Sequence, residues 1–261
     1  MKIVHVSDIH LQEDPILGTD PVGEWEACFS HVERHHGDAD LVVVTGDLAH
    51  RGETCAYRRL RERLEASPLA PRLMVGNHDD RDAFLAVFPG TPTDASGFVQ
   101  WSEERDGWRL VFLDTLDPGH HAGRLCERRL RWLDAQFAGC ERAIVFMHHP
   151  PVAVGVANAD IIGLVDAAAF RAVLSRHRGR VRHIFFGHCH YALSGSVDGV
   201  AFSAAQSTSH PNWPEIGGPA ERTGYAREQS RSYAVALLNE DATVVHSIEY
   251  GLEDRLQWMT Y

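Results

Sequence analysis

Apolar residues fall in short, nearly unbroken runs at residues 3–6, 41–45, 72–75, 109–113, 143–147 and 183–186. Each run ends in polar or glycine-containing sequence. Unbroken apolar runs of this length predict strands buried on both faces. Helical patterns lie between them. Leu125, Leu130, Leu133 and Phe137 form an apolar stripe with Arg and Glu opposite, and Phe170, Val173 and Leu174 form a second. Strands alternating with helices predict α/β architecture. Beyond about residue 195 the pattern changes, and 200–204, 233–238 and 243–248 read as strands with little helix between them. Residues 206–231 are rich in Ser, Pro, Gly and charge, which predicts a long loop on the substrate side. The expectation is one domain over residues 1–261, with a small insertion at about 79–108.

Composition narrows the class. With 261 residues, 44% hydrophobic and 23% charged, the chain can bury a sizeable core without disulfides. No apolar run approaches the roughly 18 residues of a membrane helix. The first eight residues, Met1 to Asp8, are charged too early for a signal peptide, so a cytoplasmic protein is expected. The net charge of −11 repels polyanions and argues against a nucleic-acid polymer as partner. A bound metal reverses that sign locally. Cys28, Cys55, Cys126, Cys140 and Cys189 are odd in number and lack CxxC spacing, which reads as reduced thiols. Seventeen histidines, many beside Asp, Gly or Asn, direct attention to metal ligation.

Five short motifs each follow a predicted strand. Asp8-Ile9-His10 follows the first. Residues two apart on extended chain point the same way, so both side chains reach one ion while Ile9 faces the core. Gly46-Asp47-Leu48-Ala49-His50 follows the second, where glycine permits a sharp exit from the sheet and a carboxylate can bridge two cations. Gly76-Asn77-His78-Asp79-Asp80 offers a neutral oxygen ligand in Asn77 and a histidine, His78, able to enter the cleft without touching metal. Asp79 or Asp80 reads as the N-cap of the next helix. His148-His149-Pro150-Pro151 and Gly187-His188-Cys189-His190 complete the set, with Cys189 turned away from His188 and His190 as a packed thiol.

Any one motif alone reads as an ordinary turn or cap. All five lie at strand ends, where α/β folds place their ligand crevice. The inventory is Asp, His, Asp, Asn, His, His and His. That exceeds the needs of one ion with an open position and suits two ions sharing a carboxylate. The absence of thiolates argues against a structural zinc site. Mixed nitrogen and oxygen donors suit Mn, Fe, Co, Zn or Ni.

The ordered set Asp-x-His, Gly-Asp-x-x-His, Gly-Asn-His-Asp, His-x-Pro and Gly-His-x-His resembles the calcineurin-like metallophosphoesterase superfamily. It is most similar to the bacterial class III cyclic-nucleotide phosphodiesterases and glycerophosphodiesterases. The resemblance implies a four-layer α/β/β/α sandwich of two packed mixed sheets. It implies one divalent ion held by Asp8, His10, Asp47 and His190, and a second held by Asp47, Asn77, His148 and His188. His78 is then the catalytic residue beside the leaving group. The implied reaction is hydrolysis of a small phosphodiester, a cyclic nucleotide or glycerophosphodiester, by attack of a metal-bridging hydroxide. His50, Tyr191 and His210 are candidate substrate contacts, and a homo-oligomer is expected. Ala49-His50-Arg51-Gly52 departs from the Val-Asp-Arg-Gly of the protein Ser/Thr phosphatases. Alternatives are a phosphomonoesterase or pyrophosphatase of the same superfamily and, more remotely, a non-catalytic scaffold. His5, His120, His121, His177, His183 and His246 read as structural or surface residues.

Overall fold

The computed structural model describes residues 1–225, 230–252, 257 and 259. The first sheet has five strands in the order β13-β12-β1-β2-β3. These are β1 (Lys2–Val6), β2 (Leu41–Val44), β3 (Arg72–Leu73), β12 (Ser232–Leu238) and β13 (Thr243–Glu249). β1, β2 and β3 run parallel, and β12 and β13 are added antiparallel beyond β1. The second sheet has the order β4-β5-β6-β7-β9-β8. It comprises β4 (Trp101–Arg105), β5 (Trp108–Phe112), β6 (Ala143–Phe146), β7 (Val181–Phe186), β8 (Leu193–Val197) and β9 (Val200–Ala204). β5, β6, β7 and β9 are parallel, and β4 and β8 close the edges antiparallel.

Strand alternation builds the layers. On β5, β6 and β7, Leu110, Phe112, Ile144, Phe146 and Phe185 join a core shared with the first sheet. Their alternates Val111, Ala143, Val145, Ile184 and Phe186 face α4 (Glu127–Phe137) and α6 (Ala167–Arg176). α1 (Pro21–His36), α2 (Thr54–Glu65) and α3 (Arg81–Val87) pack with the first sheet through Trp25, Phe29, Val32, Tyr57, Leu60 and Phe84. Asp20 caps α1 by accepting from Val22 N, and Pro21 supplies a pre-set first turn. A short α5 (Ala157–Ile161) follows the His-His-Pro-Pro segment. Two mixed sheets with helices outside are the sandwich that the resemblance implies.

Between the sheets runs a ladder of flat rings. Trp101, Phe112, Phe146 and Phe185 stack in turn across β4 to β7, with centroids 4.4, 5.1 and 5.3 Å apart. Such offset pairs add about 0.5–1.5 kcal/mol each beyond area burial.

The third strand is shorter than its apolar run, since only Arg72 and Leu73 pair with β2. Residues 79–108 hold α3 and β4, and β4 hydrogen-bonds along β5 as the edge of the second sheet. The described part of 206–231 contains a small hairpin, β10 (Asn212–Trp213) with β11 (Gly224–Tyr225); residues 226–229 lie outside the described residues. No helix among the described residues is long and apolar enough to cross a membrane.

Candidate metal centre

The loops after β1, β2, β3, β6 and β7 meet at one end of the sandwich. The first two lie side by side: Asp8 N donates to Gly46 O at 3.2 Å and His10 N to Asp47 O at 2.8 Å. The loop of the second sheet docks onto the first where His188 N donates to Asp8 Oδ1 and Oδ2 at 3.1 and 3.0 Å. His78 N donates to Asp47 Oδ1 at 2.9 Å.

Asp8 and His10 converge, but not on extended chain, whereas His188 and His190 part: His188 Nδ1 lies beside Asn77 and His190 Nε2 beside Asp8. Asp8, His10, Asp47, His188 and His190 have φ of 55, 45, 51, 66 and 63°. Left-handed backbone is costly for non-glycine residues and gathers where function over-determines it. Ile9 and Cys189 are buried in apolar clusters on either side.

Two groups of donors result. In the first, His10 Nε2 lies 3.0 Å from His190 Nε2, 3.4 Å from Asp47 Oδ2 and 4.0 Å from Asp8 Oδ1. His190 Nε2 lies 3.3 Å from Asp8 Oδ1. In the second, Asn77 Oδ1 lies 3.1 Å from His148 Nε2 and 2.9 Å from His188 Nδ1. His148 Nε2 is 3.4 Å from Asp47 Oδ1. The two oxygens of Asp47 therefore face different groups.

Tautomers follow from fixed acceptors. His148 Nδ1 donates to Thr45 O at 2.8 Å and His190 Nδ1 to His210 O at 3.0 Å. Each Nε2 is thereby left to point its lone pair into the centre. His149 differs: Nε2 donates to His121 O at 3.0 Å, and Nδ1 accepts from Thr115 Oγ1 at 2.7 Å. Both of its ring nitrogens are thereby engaged by neighbouring groups.

The centre favours positive charge. Burial opposes protonation of His148, yet Asp47, Asp8 and the Thr45 carbonyl raise it to about 9. His190 is also raised, against its own burial, by Asp8. Asp47 is held well below the usual carboxylate range by His148 and His10 despite full burial. Asp8, Asp47, His10, His148, His188 and His190 are all under 9% exposed. Buried carboxylates beside convergent imidazole lone pairs are the donor chemistry of a divalent transition-metal site. His188 Nε2, buried without a partner, belongs to the same polar pocket.

His78 stands beside His10, with ring centroids 4.8 Å apart. Its Nδ1 donates to His50 O at 2.7 Å, which puts the remaining lone pair on Nε2. His50 and His210 pack on His10, with ring centroids 5.4 and 4.7 Å away. Tyr191 lies in the apolar cluster of the second sheet, 6% exposed.

Two contributors escape the sequence reading. Asp80 alone caps α3, accepting from Ala83 N at 2.8 Å. Buried Asp79 instead accepts from Leu48 N, Ala49 N, Gly76 N and Tyr57 Oη at 2.8–3.1 Å. It clasps the Asp47 loop to the Asn77 loop. Two consecutive aspartates before a helix that needs one cap are the signal for it. His121, read as structural or surface, accepts from Asn77 Nδ2 at 3.4 Å and so turns Asn77 Oδ1 toward His148 and His188.

Comparison with known proteins agrees with this geometry. The family description "Calcineurin-like phosphoesterase" matches residues 1–192. A Rhodopseudomonas palustris protein described as a "Probable cyclic nucleotide phosphodiesterase" is 35% identical over 257 residues, covering 96% of this chain and 93% of its own. The glycerophosphodiester phosphodiesterase GpdQ of Enterobacter lignolyticus is 33% identical over 242 residues, covering 89% and 82%. A crystal structure of a dimetal phosphatase from Danio rerio shares the fold, with a TM-score of 0.72 at 18% identity over 95% of this chain and 96% of that one. With its motifs in order and its donors gathered at the strand ends of a two-sheet sandwich, the chain belongs to the calcineurin-like phosphoesterase family.

Proposed function

We propose that the chain is a dinuclear metal-dependent phosphodiesterase acting on small diesters, cyclic nucleotides or glycerophosphodiesters. The observation that carries this reading is Asp47, whose Oδ2 faces His10 at 3.4 Å while its Oδ1 faces His148 at 3.4 Å. One carboxylate shared by two donor groups is what a pair of ions requires. Asp8, His10, Asp47 and His190 would hold one ion, and Asp47, Asn77, His148 and His188 the other. Bound, the ions supply a nucleophile at neutral pH and neutralise charge on the phosphoryl oxygens.

The chain's own groups do the rest. His78, with Nδ1–H tied to the His50 carbonyl, carries a proton on Nε2 to the leaving alkoxide. A positioned acid of this kind contributes about 10²–10⁴-fold. His210 packs on the ring of His10, and His121 accepts from Asn77. The relatives described as cyclic nucleotide and glycerophosphodiester phosphodiesterases support small diesters as substrates. The net charge of −11 opposes a polymeric substrate. Five free cysteines fit a reducing, cytoplasmic setting, and a homo-oligomer completes the reading.

The test is the turnover of bis(p-nitrophenyl) phosphate relative to p-nitrophenyl phosphate by Mn²⁺-loaded protein, followed by cyclic nucleotides and glycerophosphodiesters. A ratio well above one supports the diesterase. A ratio well below one moves the function to monoesters.

A further inference from the structure

An imidazole that binds a cation through one nitrogen carries its hydrogen on the other, and that N–H needs an acceptor. Backbone carbonyls fill this place for His148 and His190, through Thr45 O and His210 O. His10 is arranged differently. Its Nε2 faces Asp47, Asp8 and His190. Among the described residues its Nδ1 meets no carbonyl; it lies 3.3 Å from Nδ1 of His50.

We propose that His50 is the positioning residue of His10: His50 Nδ1 accepts the Nδ1–H of His10 and so aims the His10 Nε2 lone pair at the cation held with Asp8, Asp47 and His190. This inference rests on the metal reading above and adds to it the residue that sets one ligand's tautomer. His50 is placed to do this by two independent contacts. Its amide donates to Leu11 O at 3.1 Å, which ties it to the chain just beyond His10. Its ring stacks on His78 with centroids 5.2 Å apart and planes 20° from parallel. The same residue acts in two ways. The ring orients a metal ligand, and the carbonyl holds the Nδ1–H of His78 at 2.7 Å. Substitution of the side chain removes the first action and leaves the second.

The consequence is asymmetric. The ion at Asp8, His10 and His190 depends on His50, whereas the ion at Asn77, His148 and His188 does not. Loss of such an outer partner typically weakens metal affinity about 10–100-fold.

The experiment is calorimetric titration of metal-free wild type, His50→Ala and His50→Asn with MnCl₂ and ZnCl₂, with substrate absent. Two binding events are expected in the wild type. His50→Ala should weaken one of them about 10–100-fold and spare the other. His50→Asn, whose amide oxygen can accept the same N–H, should restore most of the loss. In long-range ¹H–¹⁵N spectra of the Zn²⁺-loaded protein, the His10 Nδ1–H should be retained in wild type and His50→Asn and lost to solvent exchange in His50→Ala. Should His50→Ala fold poorly, His50→Leu keeps the bulk without the acceptor and reads the same difference. Two events of wild-type strength in the Ala and Leu variants overturn the inference. Equal loss in all variants, with no recovery in Asn, also overturns it. A wild type that takes up ions but cleaves no diester removes the substrate reading alone. A wild type that takes up no ion removes both.

Discussion

The phenol of Tyr57 donates to the buried carboxylate of Asp79 across 2.9 Å. The same phenol oxygen accepts from Asp80 N at 2.9 Å. Helix α2 is thereby tied to the loop that carries Asn77 and, through Asp79, to the loop that carries Asp47. Tyr57→Phe keeps the ring and deletes both bonds, leaving the Asp80 N–H and the buried Asp79 carboxylate each short of a partner. The expected cost is about 1–3 kcal/mol, read from the midpoint of urea unfolding at unchanged m-value.

Glycine at position 76 is a matter of room. A Cβ there would overlap Asp47 Oδ1 and stand 2.8 Å from His148 Cε1. Gly76→Ala must therefore displace the shared carboxylate. Metal content after dialysis against a fixed Mn²⁺ concentration should fall well below that of the wild type. A fully loaded Gly76→Ala protein would remove Asp47 from its place between the two donor groups.

Asn77 is the one neutral oxygen donor in the set, and its amide oxygen meets both His148 and His188. Asn77→Ala should lower turnover of bis(p-nitrophenyl) phosphate by about 100-fold or more, since removal of a ligand exceeds removal of an outer partner. The far-ultraviolet circular dichroism should be unchanged. In the wild type, a chelator should abolish turnover and Mn²⁺ should restore it. Wild-type rates for Asn77→Ala would refute the two-ion assignment.

A stability effect with pH is expected from the histidines buried on the strands. Burial lowers His183 to about 4, against an ordinary value of 6.5. Its Nε2 meets Ser203 Oγ at 2.8 Å, and its ring lies 4.3 Å from that of Phe185. The folded protein keeps His183 neutral while the unfolded chain protonates it. The contribution is complete above pH 6.5 and is lost as pH falls toward 4, up to roughly 3 kcal/mol. His5, lowered to about 3 mainly by its own burial, adds to the same slope. His183→Gln keeps a polar partner for Ser203 and should flatten the pH dependence of unfolding between 6.5 and 4 by about one proton. An unchanged slope would remove His183 as its source.

The parts of the molecule legible in the sequence are those where one physical demand dominates. β1, β2, β5, β6 and β7 are buried on both faces, so their apolar runs stand out, and the ends of β1, β2, β6 and β7 locate ligand loops. β4 was not legible, because Ser102, Glu103 and Glu104 sit on an edge strand where solvent accepts polar side chains. β8, with Ser194, Gly195 and Ser196 exposed, was hidden for the same reason. The ligand types were readable, but the backbone that aims them was not: nothing in Asp8-Ile9-His10 announces two left-handed residues. Asp79 looked like a cap because caps are local, whereas its partners Leu48, Ala49 and Tyr57 lie 22–31 residues away.

The donor set has a further consequence for assembly of the fold. Asp8, His10, Asp47 and Asn77 are carried by the first sheet, and His148, His188 and His190 by the second. An ion shared among them would cross-link the two halves of the sandwich, whereas the stacked rings of Trp101, Phe112, Phe146 and Phe185 all belong to the second sheet. A slip of one sheet by a single residue would leave every ring a partner but part the donors, so a cation held there would act as a registration pin. Seated only in the correctly aligned sandwich, it would stabilise that alignment through its binding energy.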